Sequence, residues 1–163
     1  MYSILEAKEL VADLIYEFVV KAPNVAANCE PGQFVIVRTD EESERIPLTI
    51  CDYDREKETI TIVVQIIGAS TFKMKYLKTG DAFCDFVGPL GRPSELIDTP
   101  IDELKQKKIL FVAGGLGTAP VYPQVKWLHE HGVDADVIVG AKTKDLLIME
   151  EAHPKGRPLV CWP

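Results

Sequence analysis

Apolar and polar positions alternate loosely through the first half of the chain. "SILEAKELVADLIYEFVVKAP" holds two such stretches, one on each side of Ala12-Asp13. That two-residue period is the mark of half-buried strands. "GQFVIVRT" follows the turn "EPGQ", where Pro31-Gly32 punctuates the chain. "IPLTICDYD" and "ETITIVVQIIG" are rich in β-branched residues and meet at the charged turn "DYDREKE". A short helical piece, "STFKMKYLKTGD", precedes the strand "AFCDFVGPLG". About six short, closely spaced strands predict an antiparallel barrel or sandwich.

The period then changes. "PSELIDTPIDELKQKK" is polar and proline-punctuated, as in a linker or hinge. "KILFVAGG" is a continuous apolar run, as expected of a parallel strand covered on both faces. "TAPVYPQVKWLHEHG" reads as a helix ending at Gly132, and "DADVIVGA" as a second buried strand. Strand, glycine-rich turn, helix and strand make a βαβ unit. The expected architecture is a β domain over residues 1–98 followed by a partial α/β domain over 99–163. The second part is too short for a full doubly wound sheet, so an abbreviated or truncated fold is expected. The final stretch, "EEAHPKGRPLVCWP", does not look like further strands of such a sheet.

Composition narrows the partners. The chain has 163 residues and a net charge of −7, which argues against nucleic acid. No stretch approaches the roughly 20 apolar residues of a membrane span, and the N-terminus lacks a basic leader. A cytoplasmic setting is the expectation. Cys29, Cys51, Cys84 and Cys161 are far apart, so no pair suggests a metal site, and buried thiols are expected.

Four short motifs stand out as candidates for chemistry or for shaping a site. "GGLGTAP", Gly114 to Pro120, lies between an apolar strand and a helix, where backbone amides can receive phosphate. Gly114, Gly115 and Gly117 allow close approach, and Thr118 is placed to cap the helix. The spacing is G-G-x-G, not GxGxxG, and a tight βα turn is the plain alternative. Pro123 removes one helical hydrogen bond and is expected near the end of the first turn. "GASTFK" presents Gly68, Ser70 and Thr71 at a second strand-to-helix junction. "VGPLGRPSE" must turn the chain between domains. In "ERIPLTICDYD", Arg45 is a planar cation suited to phosphate, and Thr49 shares its face in a regular strand. Alone, Arg45 reads as a solvated surface charge.

In order, "RIPLTI", "GAST", "GPLG" and "FVAGGLGTAP" resemble the ferredoxin–NADP reductase superfamily, in its branch of electron-transfer subunits. That branch includes the small subunit of NADH-dependent ferredoxin:NADP oxidoreductase, the sulfide dehydrogenase β subunit and the dihydroorotate dehydrogenase electron-transfer subunit. "VIVGAKTKDLLIMEE" looks most like the first two. The resemblance covers residues 1 to about 150. It implies a six-stranded antiparallel Greek-key barrel that binds FAD, followed by a parallel α/β domain that binds NAD(P)H.

The resemblance also implies site residues. Arg45 would pair with the FAD pyrophosphate. Ile46, Pro47 and Leu48 would line the flavin, and Thr49 would sit near its N5. Val63, Val64 and Gln65 would run beside the cofactor, and Gly68, Ser70 and Thr71 would hold its phosphates. Gly114, Gly115, Gly117 and Thr118 would receive the nicotinamide dinucleotide, with Lys142 near the ribose phosphate. The family carries a [2Fe–2S] cluster on closely spaced cysteines, and that set is absent from this chain. The implied function is a flavoprotein oxidoreductase subunit passing electrons from NAD(P)H through FAD to a larger iron–sulfur flavoprotein subunit, with ferredoxin as a further candidate partner. A truncated FAD-binding module without NAD(P)H oxidation is one alternative. A dihydroorotate dehydrogenase subunit and a non-redox oligomerisation domain are the others.

Overall fold

A computed structural model describes residues 1–149 and 160–162. Seven strands form the first sheet: β1 (Tyr2–Val11), β2 (Ile15–Lys21), β3 (Phe34–Arg38), β4 (Ile46–Asp54), β5 (Thr59–Gln65), β6 (Ala82–Phe83) and β7 (Asp85–Leu90). Their order is β6-β1-β2-β5-β4-β3-β7, and every pairing is antiparallel. The alternation seen in the sequence becomes an inside and an outside. Phe18, Val20, Val35, Val37, Ile50, Ile60 and Ile62 point inward and are buried. The two end strands, β6 and β7, adjoin in sequence, and Phe83 and Phe86 meet with ring centroids 6.2 Å apart. With only Cys84 between them, the sheet's two ends lie side by side, giving a nearly closed barrel. A short helix, α1 (Pro23–Asn28), buries Val25 and Ala26 in the same core. A second, α2 (Ala69–Met74), buries Met74 there.

The sequence predicts about six strands, and the sheet has seven. "AFCDFVGPLG" is two strands, not one: it breaks at Cys84, and its halves pair at opposite ends of the sheet. The predicted turn tract after it is packed, not loose. A Cβ on Gly88 would meet Val35 Cγ1 at 2.7 Å, and one on Gly91 (φ +79°) would meet Phe34 Cε1 at 2.8 Å. Gln33 Nε2 donates to Gly91 O at 3.0 Å, and Ser94 N donates to Pro31 O at 2.8 Å.

The polar segment expected to be a linker contains two one-turn helices, α3 (Glu95–Asp98) and α4 (Ile101–Leu104). Leu104 is buried against Leu128 and Val133, with Leu96 and Ile101 beside it. Its apolar residues are too few and too widely spaced to show a period, so only tertiary packing reveals them. Next come β8 (Ile109–Gly114), α5 (Thr118–Glu130) and β9 (Ala135–Gly140), the expected βαβ unit. The helix ends before Gly132, which has φ +68°. Pro123 lies one turn further in than expected, inside α5 and buried.

The tail departs from expectation. Val160–Trp162 forms β10, which pairs parallel with β9, so the second sheet runs β10-β9-β8. Three residues are too short a run to show as a strand by period. His153 lies outside the described residues. On this sheet Leu110 and Val112 of β8 are exposed, and the far edge of β8 is unpaired among the described residues. No described helix is long and apolar enough to cross a membrane.

Candidate functional site

Arg45 stands at the entry to β4 with its side chain 62% exposed. Its Nε and Nη2 donate to Asp85 Oδ2 on β7, at 3.2 and 2.8 Å. Arg38 Nε lies 2.9 Å from the same oxygen. Two cations thus share one carboxylate, and Arg45 foremost holds the Asp85 carboxyl below its ordinary range. The group keeps a net positive charge at the surface.

Beside it, the junction after β5 is largely self-contained. The Thr71 hydroxyl accepts from Ile67 N and Gly68 N at 3.0 Å each, and donates to Gly68 O. Ser70 Oγ donates to Glu44 Oε2 at 3.2 Å. Gly68 is exposed, with nothing within 4 Å of the position a Cβ would take.

Along β4, Pro47 is exposed, while Ile46, Leu48 and Thr49 are half-buried. Thr49 pairs with Phe34 of β3. The next strand divides its residues. Val63 is buried in an apolar cluster with Cys51 and Ala119 of α5, and Val64 in the barrel core. Their side chains are taken up by packing, so only their backbone is available to a ligand. Gln65, at the end of β5, is half-buried.

On the α/β side, Gly115 has φ +51°, a left-handed conformation that favours glycine. A Cβ on Gly114, Gly115 or Gly117 would meet nothing within 4 Å, so the turn presents open backbone. Thr118 does not cap α5 as expected. It is the first helical residue, fully buried, and its hydroxyl donates back to Gly115 O at 2.9 Å. Its role is to tie the turn down.

Only some of these pieces meet, at a cleft of about 850 Å³ between barrel and βαβ unit. Gln65, Gly114, Gly115 and Lys142 line it. Lys142 is exposed. Leu14, Leu116 and Ala141 add apolar wall that was not singled out among the candidate site residues, although Leu116 sits within the G-G-x-G turn. Leu14 had only a turn to mark it, and Ala141 only the end of a strand. Arg45 and the Gly68–Thr71 junction do not line this cleft; they form a separate patch on the barrel.

Under the cleft, the cluster of Ile15, Cys51, Val63, Ala119 and Ile148 joins barrel to helix. Burial pushes the Cys51 thiol well above its usual range, and that of Cys29 up to about 11. Both behave as packed apolar groups, as expected, whereas Cys84 is only half-buried. Among the described residues no group of three or more His, Cys, Asp or Glu side chains is placed to hold a metal. The described cysteines therefore do not fit a [2Fe–2S] cluster.

No family model matches the chain. A Clostridium beijerinckii protein, described as an uncharacterized protein in the adh 3′ region, is 56% identical over 156 residues. The match takes in 96% of this chain and 52% of that one. A Thermotoga maritima homolog of the dihydroorotate dehydrogenase B (NAD(+)) electron transfer subunit is 39% identical over 142 residues, 87% of this chain and 48% of its own. Among solved structures, a chain of the NADH-dependent reduced ferredoxin–NADP oxidoreductase, solved in work on flavin-based electron bifurcation, is similar with a TM-score of 0.85. It is 35% identical, over 99% of this chain and 56% of that one. The chain spans about half the length of the curated relatives it matches. A nearly closed antiparallel barrel, a βαβ unit with a G-G-x-G turn, and these likenesses agree: the chain is similar in sequence and fold to electron-transfer subunits of the ferredoxin–NADP reductase type.

Proposed function

We propose that the barrel holds FAD, that the cleft receives NAD(P)H, and that the protein passes electrons from the nicotinamide to an iron–sulfur partner. The observation that carries this is the cleft itself. It sets the open backbone of Gly114 and Gly115 opposite Gln65 at the end of β5.

The donor set fits both ligands. Arg45 presents an exposed guanidinium with Nη1 unpartnered among the described residues, suited to the FAD pyrophosphate. At the junction of Gly68, Ser70 and Thr71 the hydroxyls and the Gly68 amide are already partnered, so it would meet the same phosphates with the backbone amides that open α2. Ile46, Pro47 and Leu48 supply the wall, and Thr49 a hydroxyl toward N5 of the ring. Val63 and Val64 contribute backbone, and Gln65 reaches the cleft between the two sites. Gly114, Gly115 and Gly117 accept the dinucleotide, with Thr118 holding their turn. Lys142 offers a cation toward the ribose phosphate.

FAD, when bound, supplies the change from two-electron hydride uptake to single-electron release. The chain's own residues orient the rings, and Leu14, Leu116 and Ala141 keep water from the cleft. No side chain is needed as acid or base for hydride transfer. The reading carries with it a boundary near residue 98, a larger iron–sulfur flavoprotein subunit as partner, and a cytoplasmic setting. Such a subunit works as an NAD(P)H-dependent oxidoreductase only with its partner.

Purified protein should show flavin absorption bands and release FAD on denaturation. Anaerobic rapid mixing with NADH or NADPH should bleach those bands. A colourless protein that rejects added FAD would sink the proposal. A yellow one that neither nucleotide bleaches would remove the oxidoreductase half.

A further inference from the structure

Strand β4 departs from regular alternation at one point. Ile50 pairs with Ile62 and Asp52 with Thr61, so a bulge falls at Cys51. Ile50 points into the barrel core. In a regular strand Asp52, two residues on, would follow it inward and bury a carboxylate. The bulge re-aims the chain. Cys51 fills the cluster shared with Ala119, and Asp52 reaches Lys126 of the same helix, α5. Lys126 Nζ donates to Asp52 Oδ1 at 2.7 Å and to Tyr53 O at 3.3 Å. It also stands 5.6 Å from the centre of the Tyr53 ring. Both side chains are 30% exposed. Burial works against the Lys126 charge, yet its pKa is raised, because the bond to Asp52 outweighs that effect together with its other charged neighbours.

The placement has a consequence for the two proposed ligand sites. Thr49 lies three residues before Asp52 on β4, and α5 opens directly from the Gly114–Gly117 turn. We propose that Lys126 and Asp52 are a positioning pair that sets the spacing between the nicotinamide-receiving turn and the flavin-bearing strand. The inference rests on the function proposed above. Without the pair each ligand still binds, but the reacting rings are misplaced. A misplacement of about 1 Å can lower a transfer rate roughly 100-fold.

The test uses the full chain loaded with FAD, as Lys126→Met, Asp52→Asn, the double variant and Lys126→Arg. Each is mixed anaerobically with NADH and with NADPH. The limiting reduction rate should fall roughly 10- to 100-fold in each single variant. FAD retention and nucleotide Kd should stay within about twofold of the parent. The double variant should be no worse than the singles, and Lys126→Arg should recover most of the rate. An unchanged limiting rate, or a loss confined to nucleotide affinity, would overturn the pair. Amide exchange on the flavin-free protein gives an independent measure. Lys126→Met should speed exchange at the start of α5 and leave β2 and β5 protected; unchanged exchange at α5 would also overturn it. A parent that takes up no FAD would instead overturn the proposed function, and the spacing role with it.

Discussion

Arg45 is held by one neighbour and open to another. Asp85 fixes Nε and Nη2, while the rest of the guanidinium faces solvent. Because Arg38 stays on Asp85 in its absence, Arg45→Ala should leave thermal melting nearly unchanged. FAD retention, followed by equilibrium dialysis, should weaken roughly 10- to 100-fold, as befits a charge-assisted bond. A second residue, Asp40, makes a pH prediction. Its carboxyl is lowered to about 2, chiefly by the hydrogen bond from Lys73 and then by Ser43. A depressed carboxylate contributes stability that is present above the unfolded value of about 4 and lost as pH falls through the folded one. The melting difference between parent and Asp40→Asn should therefore be constant near neutral pH and vanish as pH falls from about 4 to about 2. Arg45, Gly68 and Gly115 could be proposed from the sequence because each belongs to a short contiguous motif at a strand end. Asp85 could not. Nothing in "CDFVG" says that its carboxylate meets an arginine 40 residues upstream.

Among the elements, the G-G-x-G turn separates folding from binding most cleanly. Gly114 has ordinary extended φ (−114°) and open space around its missing Cβ. Gly114→Ala should fold as the parent does and bind nucleotide about tenfold more weakly, since the methyl enters the ligand's place. Isothermal titration with NADH and NADPH, set beside a melting curve, checks both halves. Gly115 is the contrast, because its φ of +51° would strain any other residue. Element type was readable wherever a period ran long enough, as in β1, β2, β5 and α5. It failed where the run was short: α3, α4 and β10 have three or four residues each. The bulge in β4 was also hidden. A strand that skips one step reads in sequence like one that does not, and Lys126 lies 74 residues from Asp52.

At the scale of the whole molecule, the two halves are joined by packing as much as by chain. The tract from Gly88 to Ser94 is pinned to β3 and to the turn before it, and Cys51 and Ala119 share one apolar cluster. The order of the motifs along the chain made this architecture legible, because barrel and βαβ unit have different periods. The placing of β6 and β7 at opposite ends of one sheet, with Phe83 and Phe86 meeting across the break, left no periodic trace.

The edge of β8, bare among the described residues, bears on how the chain behaves in bulk solution. Unpaired backbone donors and acceptors, flanked by exposed Leu110 and Val112, form a template for a like strand from another copy. The net charge of −7 opposes that contact, and salt weakens the opposition. Light scattering should therefore show an apparent mass that climbs with concentration, and more steeply at high ionic strength. Val112→Lys should flatten that climb without moving the flavin spectrum. Through this one strand edge, buffer choice becomes a structural variable.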